Sequence, residues 1–159
     1  MGLRLNKDEF LKKEKLILPE DIELPSLEKE YDFDSNGKDI YARAFVPDVE
    51  GRVPLVIFSH GLGANVEHEE EVQKTLAKAG IAVFSFEFAG GSSSSAPMSE
   101  GLTTEMSVLT EVQNLKDAIR IASGMEYVDP QKIYLMGSSQ GGLVTALTAE
   151  EVTNIAGLF

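Results

Sequence analysis

The sequence predicts an α/β fold, with a mostly parallel sheet, helices on both faces and an antiparallel hairpin at the N-terminal end. Three observations predict it. The run VPLVIFS, residues 53–59, is a continuous apolar run, and residues 81–88 read as a second strand buried on both faces. Each is followed by a stretch whose apolar residues recur at helical spacing. Asn36-Gly37 stands between two alternating runs, a strong hairpin cue.

In chain order, residues 1–27 read as a peripheral segment, and residues 28–159 as the body of one domain. Asn6 to Glu9 make a plausible helix start, Phe10 and Leu11 give that helix a small apolar face, and Pro19 and Pro25 keep the following chain extended. From Glu28 the pattern alternates through Tyr31 and Phe33, turns at residues 34–37, and alternates again over 40–46. After the strand at 53–59, residues 69–79 predict a helix with Val72, Leu76 and Ala79 on its inner stripe and Gly80 as its stop. Its first turn carries Glu69, Glu70 and Glu71, where a helix dipole favours acids. The segment 90–101, with its serine run, is a loop. Residues 106–122 predict a helix whose face is Leu109, Val112, Leu115, Ile119 and Ala122, ended by Ser123-Gly124. Asp129-Pro130 turns the chain into a strand at 133–136, a helix follows, and residues 154–159 open one more strand.

Composition excludes several classes of function. Lys and Arg number 14 against 26 Asp and Glu, a net charge of −12. That surface repels a phosphate backbone and anionic lipid, so neither nucleic acid nor a membrane is the expected partner. There is no cysteine, hence no disulfide, thiolate metal site or cysteine nucleophile. With two histidines and no ordered carboxylate spacing, no metal is expected. The N-terminal residues lack a signal-like apolar core, and Asn6 stands where a myristoylation signal needs Ser or Thr. A cytoplasmic location is the default expectation. Gly61 and Gly63 do not extend to a dinucleotide fingerprint, because Val66 occupies the third glycine position.

The chemistry points to residues 137–141. Gly137-Ser138-Ser139-Gln140-Gly141 is G-x-S-x-G between a buried strand and an apolar helix, the setting of a nucleophile elbow. A serine that attacks a carbonyl has to stand at the tip of a sharp turn with its Oγ exposed, in strained backbone. Gly137 and Gly141 flank Ser139 because side chains there would collide across the turn. The helix from Gln140 aims its N–H groups and the positive end of its dipole at the developing oxyanion. His60-Gly61-Leu62-Gly63 follows the strand at 53–59, where such sheets place the second oxyanion donor. The Leu62 N–H is expected to pair with that of Gln140. Glycines at 61 and 63 allow close approach of backbone to substrate, and His60 is expected to brace this loop rather than act as a base. His68, between two glutamates, reads as part of a solvated helix start.

FSHGLGAN, IAVFSFEFAGG, TTEMSVLTEV and VDPQKIYLMGSSQGG together resemble the α/β-hydrolase fold. Within it they are similar to the bacterial feruloyl/cinnamoyl-esterase-like group of carboxylesterases, over roughly residues 28–159. The resemblance implies a Ser139 nucleophile, oxyanion donors at Leu62 and Gln140, a small-molecule ester substrate and no cofactor. It also implies that Glu87 takes the place of a structural aspartate at a strand end. In that family the triad acid and histidine follow the serine in the chain, and neither is found before Phe159. The expectation is therefore the N-terminal part of a serine hydrolase, catalytically incomplete by itself, ending at its sixth strand. Such an edge would favour self-association or a complementing chain. Two rivals stay open: a non-catalytic remnant that binds acyl compounds or a partner, and a half-enzyme completed by a second chain. Thioester and peptide substrates also stay open, since a fold does not fix a substrate.

Overall fold

The computed structural model describes residues 23–94 and 96–159. The expected helix start at Asn6 to Glu9 lies outside them. Six strands form one sheet in the order β1-β2-β4-β3-β5-β6. They are β1 (Ser26–Ser35), β2 (Lys38–Pro47), β3 (Val53–Ser59), β4 (Ala82–Phe86), β5 (Val128–Gly137) and β6 (Gly157–Leu158). β1 and β2 form the antiparallel hairpin about Asn36-Gly37, where both residues adopt positive φ. β1 begins at Ser26, two residues ahead of Glu28. β2 joins β4 antiparallel, and β4, β3, β5 and β6 then run parallel.

Three helices are described: α1 (Glu70–Lys78), α2 (Val108–Ser123) and α3 (Gln140–Ala149). Successive side chains of a strand point to opposite faces, so β3 serves two interiors. Leu55 and Ile57 join the larger core with Val112, Leu115, Ile119 and Val144 of α2 and α3. Val56 and Phe58 join a smaller cluster with Val83, beneath Leu76 of α1. Helices therefore lie on both faces.

Several details depart from the sequence expectation, each for a physical reason. The inner face of α1 is Gln73 and Ala77, while Val72 and Leu76 line an open apolar groove with Val56, Ile81, Tyr134 and Met136. Gln73 is buried because its amide is satisfied: Nε2 donates to the Val66 and His68 carbonyls, and Oε1 accepts from Ser85 Oγ. Leu109 is 79% exposed, and Glu111 and Asn114 are buried in its stead. Asn114 Oδ1 caps the Ala89 N–H, and its Nδ2 donates to Ser35 Oγ. The turn expected at Asp129-Pro130 is a register shift inside β5, between the Val53–Val128 and Leu55–Ile133 pairs. Pro130 has no N–H to give the ladder.

Candidate active site

Every element of the site sits at the carboxyl end of the parallel strands. β5 ends at Gly137 and α3 begins at Gln140, leaving Ser138 and Ser139 to make the turn. Ser139 has φ 53° and ψ −119°, a conformation L-residues rarely adopt, and the residue is exposed. Ser139 holds the N-cap position of α3, yet its hydroxyl makes no cap hydrogen bond. The turn closes only because its glycines carry no Cβ. A Cβ on Gly137 would lie 2.4 Å from the Gly141 carbonyl oxygen, and one on Gly141 would lie 2.2 Å from that of Ser59. The Ser138 N–H donates to the same Ser59 oxygen at 3.1 Å, which seats the elbow on the end of β3.

The loop after β3 runs alongside. A Cβ on Gly61 would lie 3.2 Å from Ser139 Cβ and 3.9 Å from its Oγ, so the two backbones are in contact. His60, 1% exposed, directs this loop. Its Nε2 accepts from the Phe88 N–H at 3.1 Å, which leaves the proton on Nδ1, and Nδ1 donates to the Gly61 carbonyl at 2.7 Å. Because a trans peptide is planar, the Leu62 N–H points opposite to that carbonyl, away from the imidazole. Gly63, at φ 73°, is tied to the loop after β4: its N–H donates to Gly91 O, and its carbonyl accepts from Ser93 N–H and Oγ–H.

Burial holds the His60 pKa below the ordinary imidazole value, more than the Gly61 carbonyl raises it. The unfolded chain therefore takes up a proton at a higher pH than the folded protein does. The stability tied to the neutral ring is whole above about pH 6.5 and is lost as the pH falls toward the folded value. Urea melts between about pH 5 and 8 should show stability declining on the acid side. His60→Gln should flatten that slope; an unchanged slope would show that His60 is not its origin.

Glu87, 1% exposed, stands just past β4 and accepts from the Met98 and Ser99 N–H groups at 2.9 and 3.1 Å. These bonds shape the loop and do not reach Ser139. His68 is on the surface, 3.6 Å from Glu69. Among the described residues no cluster of His, Cys, Asp and Glu is able to hold a metal, and no helix is long and apolar enough to cross a membrane.

One residue beside the elbow escapes sequence reasoning. Glu111, in the first turn of α2, is 1% exposed, and its Oε2 accepts from Gln140 Nε2 at 2.7 Å. Burial raises its pKa, and the Gln140 bond opposes that rise. An acid in a first turn reads as a partner for the helix dipole. The overlooked signal is spacing, since 111 falls four and seven residues before the buried Leu115 and Ala118.

A family model described as alpha/beta hydrolase fold matches residues 54–158. The quorum-quenching protein AidA of Acinetobacter baumannii is 24% identical over 137 residues, which are 84% of this chain and 43% of AidA. Among solved structures, Est1E from Butyrivibrio proteoclasticus with ferulic acid bound is 27% identical, with a TM-score of 0.71 over 80% of this chain and 50% of that one. An esterase from Pyrobaculum calidifontis is 25% identical, with a TM-score of 0.68 over 94% and 49%. The chain thus spans about half the length of the proteins it matches.

Proposed function

The chain belongs to the α/β-hydrolase fold family, and from that membership we propose that the whole protein hydrolyses small carboxylic esters with Ser139 as nucleophile. The observation that carries the proposal is the backbone of Ser139: exposed, at φ 53°, at the head of a helix, with its hydroxyl spent on no cap. A hydroxyl kept out of the cap is free to react. Likeness to an esterase and to a ferulate-binding protein supports the ester class.

In this reading Ser139 Oγ attacks the acyl carbon as its proton passes to a general base. The carbonyl oxygen gains negative charge and is met by the N–H groups of Leu62 and Gln140. Collapse expels the alcohol, protonated by the same base, and leaves an acyl-serine that water then hydrolyses. No cofactor is needed for these steps. The base is not His60, whose two nitrogens are both engaged in the interior. We place the base and its orienting acid in the part of the fold that the relatives have and these residues do not span.

A polypeptide of these 159 residues alone should consequently be slow, since loss of a triad histidine costs about 10⁶ in kcat. The test of the proposal is a pre-steady-state experiment on the full-length protein with a nitrophenyl ester. One equivalent of nitrophenol released in a burst, ahead of a slower steady rate, is the expected signature of an acyl-enzyme. No turnover of acetyl, butyryl or hydroxycinnamoyl esters would contradict the ester assignment.

A further inference from the structure

We propose that Glu111 is a positioning residue for this site: its buried carboxylate anchors the Gln140 side chain and so fixes the turn that carries the oxyanion donor. The inference rests on the reading of Ser139 as nucleophile and adds a residue to it.

Two independent features support it. The first is what holds the head of α3. A helix start is normally secured by a side chain at the N-cap, but Ser139 makes no such bond. The first helical residue, Gln140, is instead tied across to α2 through the 2.7 Å bond to Glu111. α2 and α3 pack against each other, so the anchor joins two rigid elements.

The second is the cost of the carboxylate. Glu111 is 1% exposed, and its Gln140 partner is a neutral amide rather than a cation. Burying a carboxylate without a cation is unfavourable, and an apolar residue of similar volume would pack there at less cost. The first-turn dipole of α2 offsets only part of that. What the carboxylate provides in return is an acceptor at a fixed point, one hydrogen bond from the side chain of the residue that follows the nucleophile. If Gln140 turned, its N–H would leave the line to the oxyanion, where donors have to lie within about 3 Å.

The experiment measures hydrolysis of a small activated aryl ester by the full-length protein, alongside thermal melts. Glu111→Leu removes the acceptor and keeps the volume. It should lower kcat by about 10- to 100-fold, the scale of a displacement of up to about 1 Å, with KM little changed and the melting temperature equal or higher. Glu111→Gln, whose amide oxygen can accept the same bond, should recover most of the rate. Gln140→Leu removes the bond from its other end, and the double variant should be no slower than the slower single one. That comparison among soluble variants holds even where one substitution lowers expression. The inference is overturned if Glu111→Leu keeps its kcat, if Glu111→Gln is as slow as Glu111→Leu, or if the two losses multiply. Ser139→Ala separates the two levels of the account. If it is inactive while Glu111→Leu is fully active, only the role of Glu111 fails. If Ser139→Ala is itself active, the site reading fails and this inference with it.

Discussion

Ser139→Ala should remove nearly all ester hydrolysis from the full-length protein and leave its fold intact. Losses of about 10⁶ in kcat are the scale seen when the nucleophile of a serine triad is deleted, with a residue of about 10³–10⁴ over water left from oxyanion donors and binding. The fold should survive because Ser139 is an exposed residue and its hydroxyl caps nothing. The strain at φ 53° remains in the variant, since alanine is no better suited to that region than serine. Steady-state kinetics beside a thermal melt would separate the two effects. A variant that kept a tenth of the activity would place the chemistry elsewhere.

Gly141→Ala should have the largest effect on stability. The new methyl would lie 2.2 Å from the Ser59 carbonyl oxygen and 2.5 Å from that of His60. Both are backbone atoms at the end of a central strand, so relief requires moving α3 away from β3. Overpacking of this kind costs about 3 kcal/mol or more. At roughly 2–4 °C per kcal/mol for a domain of 150–250 residues, the melting temperature should fall by about 6–12 °C. Gly142→Ala, one residue on, is the control. Its methyl would meet nothing nearer than the Gly137 carbonyl oxygen at 3.3 Å. There the gain in helix propensity, about 1 kcal/mol, opposes the slight crowding. Equal melting temperatures for the two variants would show that the close approach at Gly141 is not what holds the elbow.

Much of this was legible in the sequence because it rests on residue types with few alternatives. A strand buried on both faces is mostly apolar, so β3 declares itself, and β4 does too with Ser85 as its one polar residue. A turn as tight as the elbow has to be glycine at 137 and 141, so its position is written in the pattern. What escaped was the buried polar layer. Hydrophobic periodicity registers the type of a residue and not its bonds. It passed over Gln73, Asn114 and Glu111, which are buried because particular partners satisfy them. It assigns Leu109 and Val72 to the core, although among the described residues they are 79% and 37% exposed. The bracing role of His60 is readable from its place in the loop, but the bond it accepts from the N–H of Phe88, 28 positions away, is not.

Covalent labelling would show whether Ser139 is the reactive nucleophile. The full-length protein is treated with a fluorophosphonate, digested, and the modified residue located by mass spectrometry. One equivalent of phosphonyl adduct is expected, on Ser139 and not on the adjacent Ser138, with none on the Ser139→Ala variant. An adduct on Ser138, or undiminished labelling of Ser139→Ala, would contradict it.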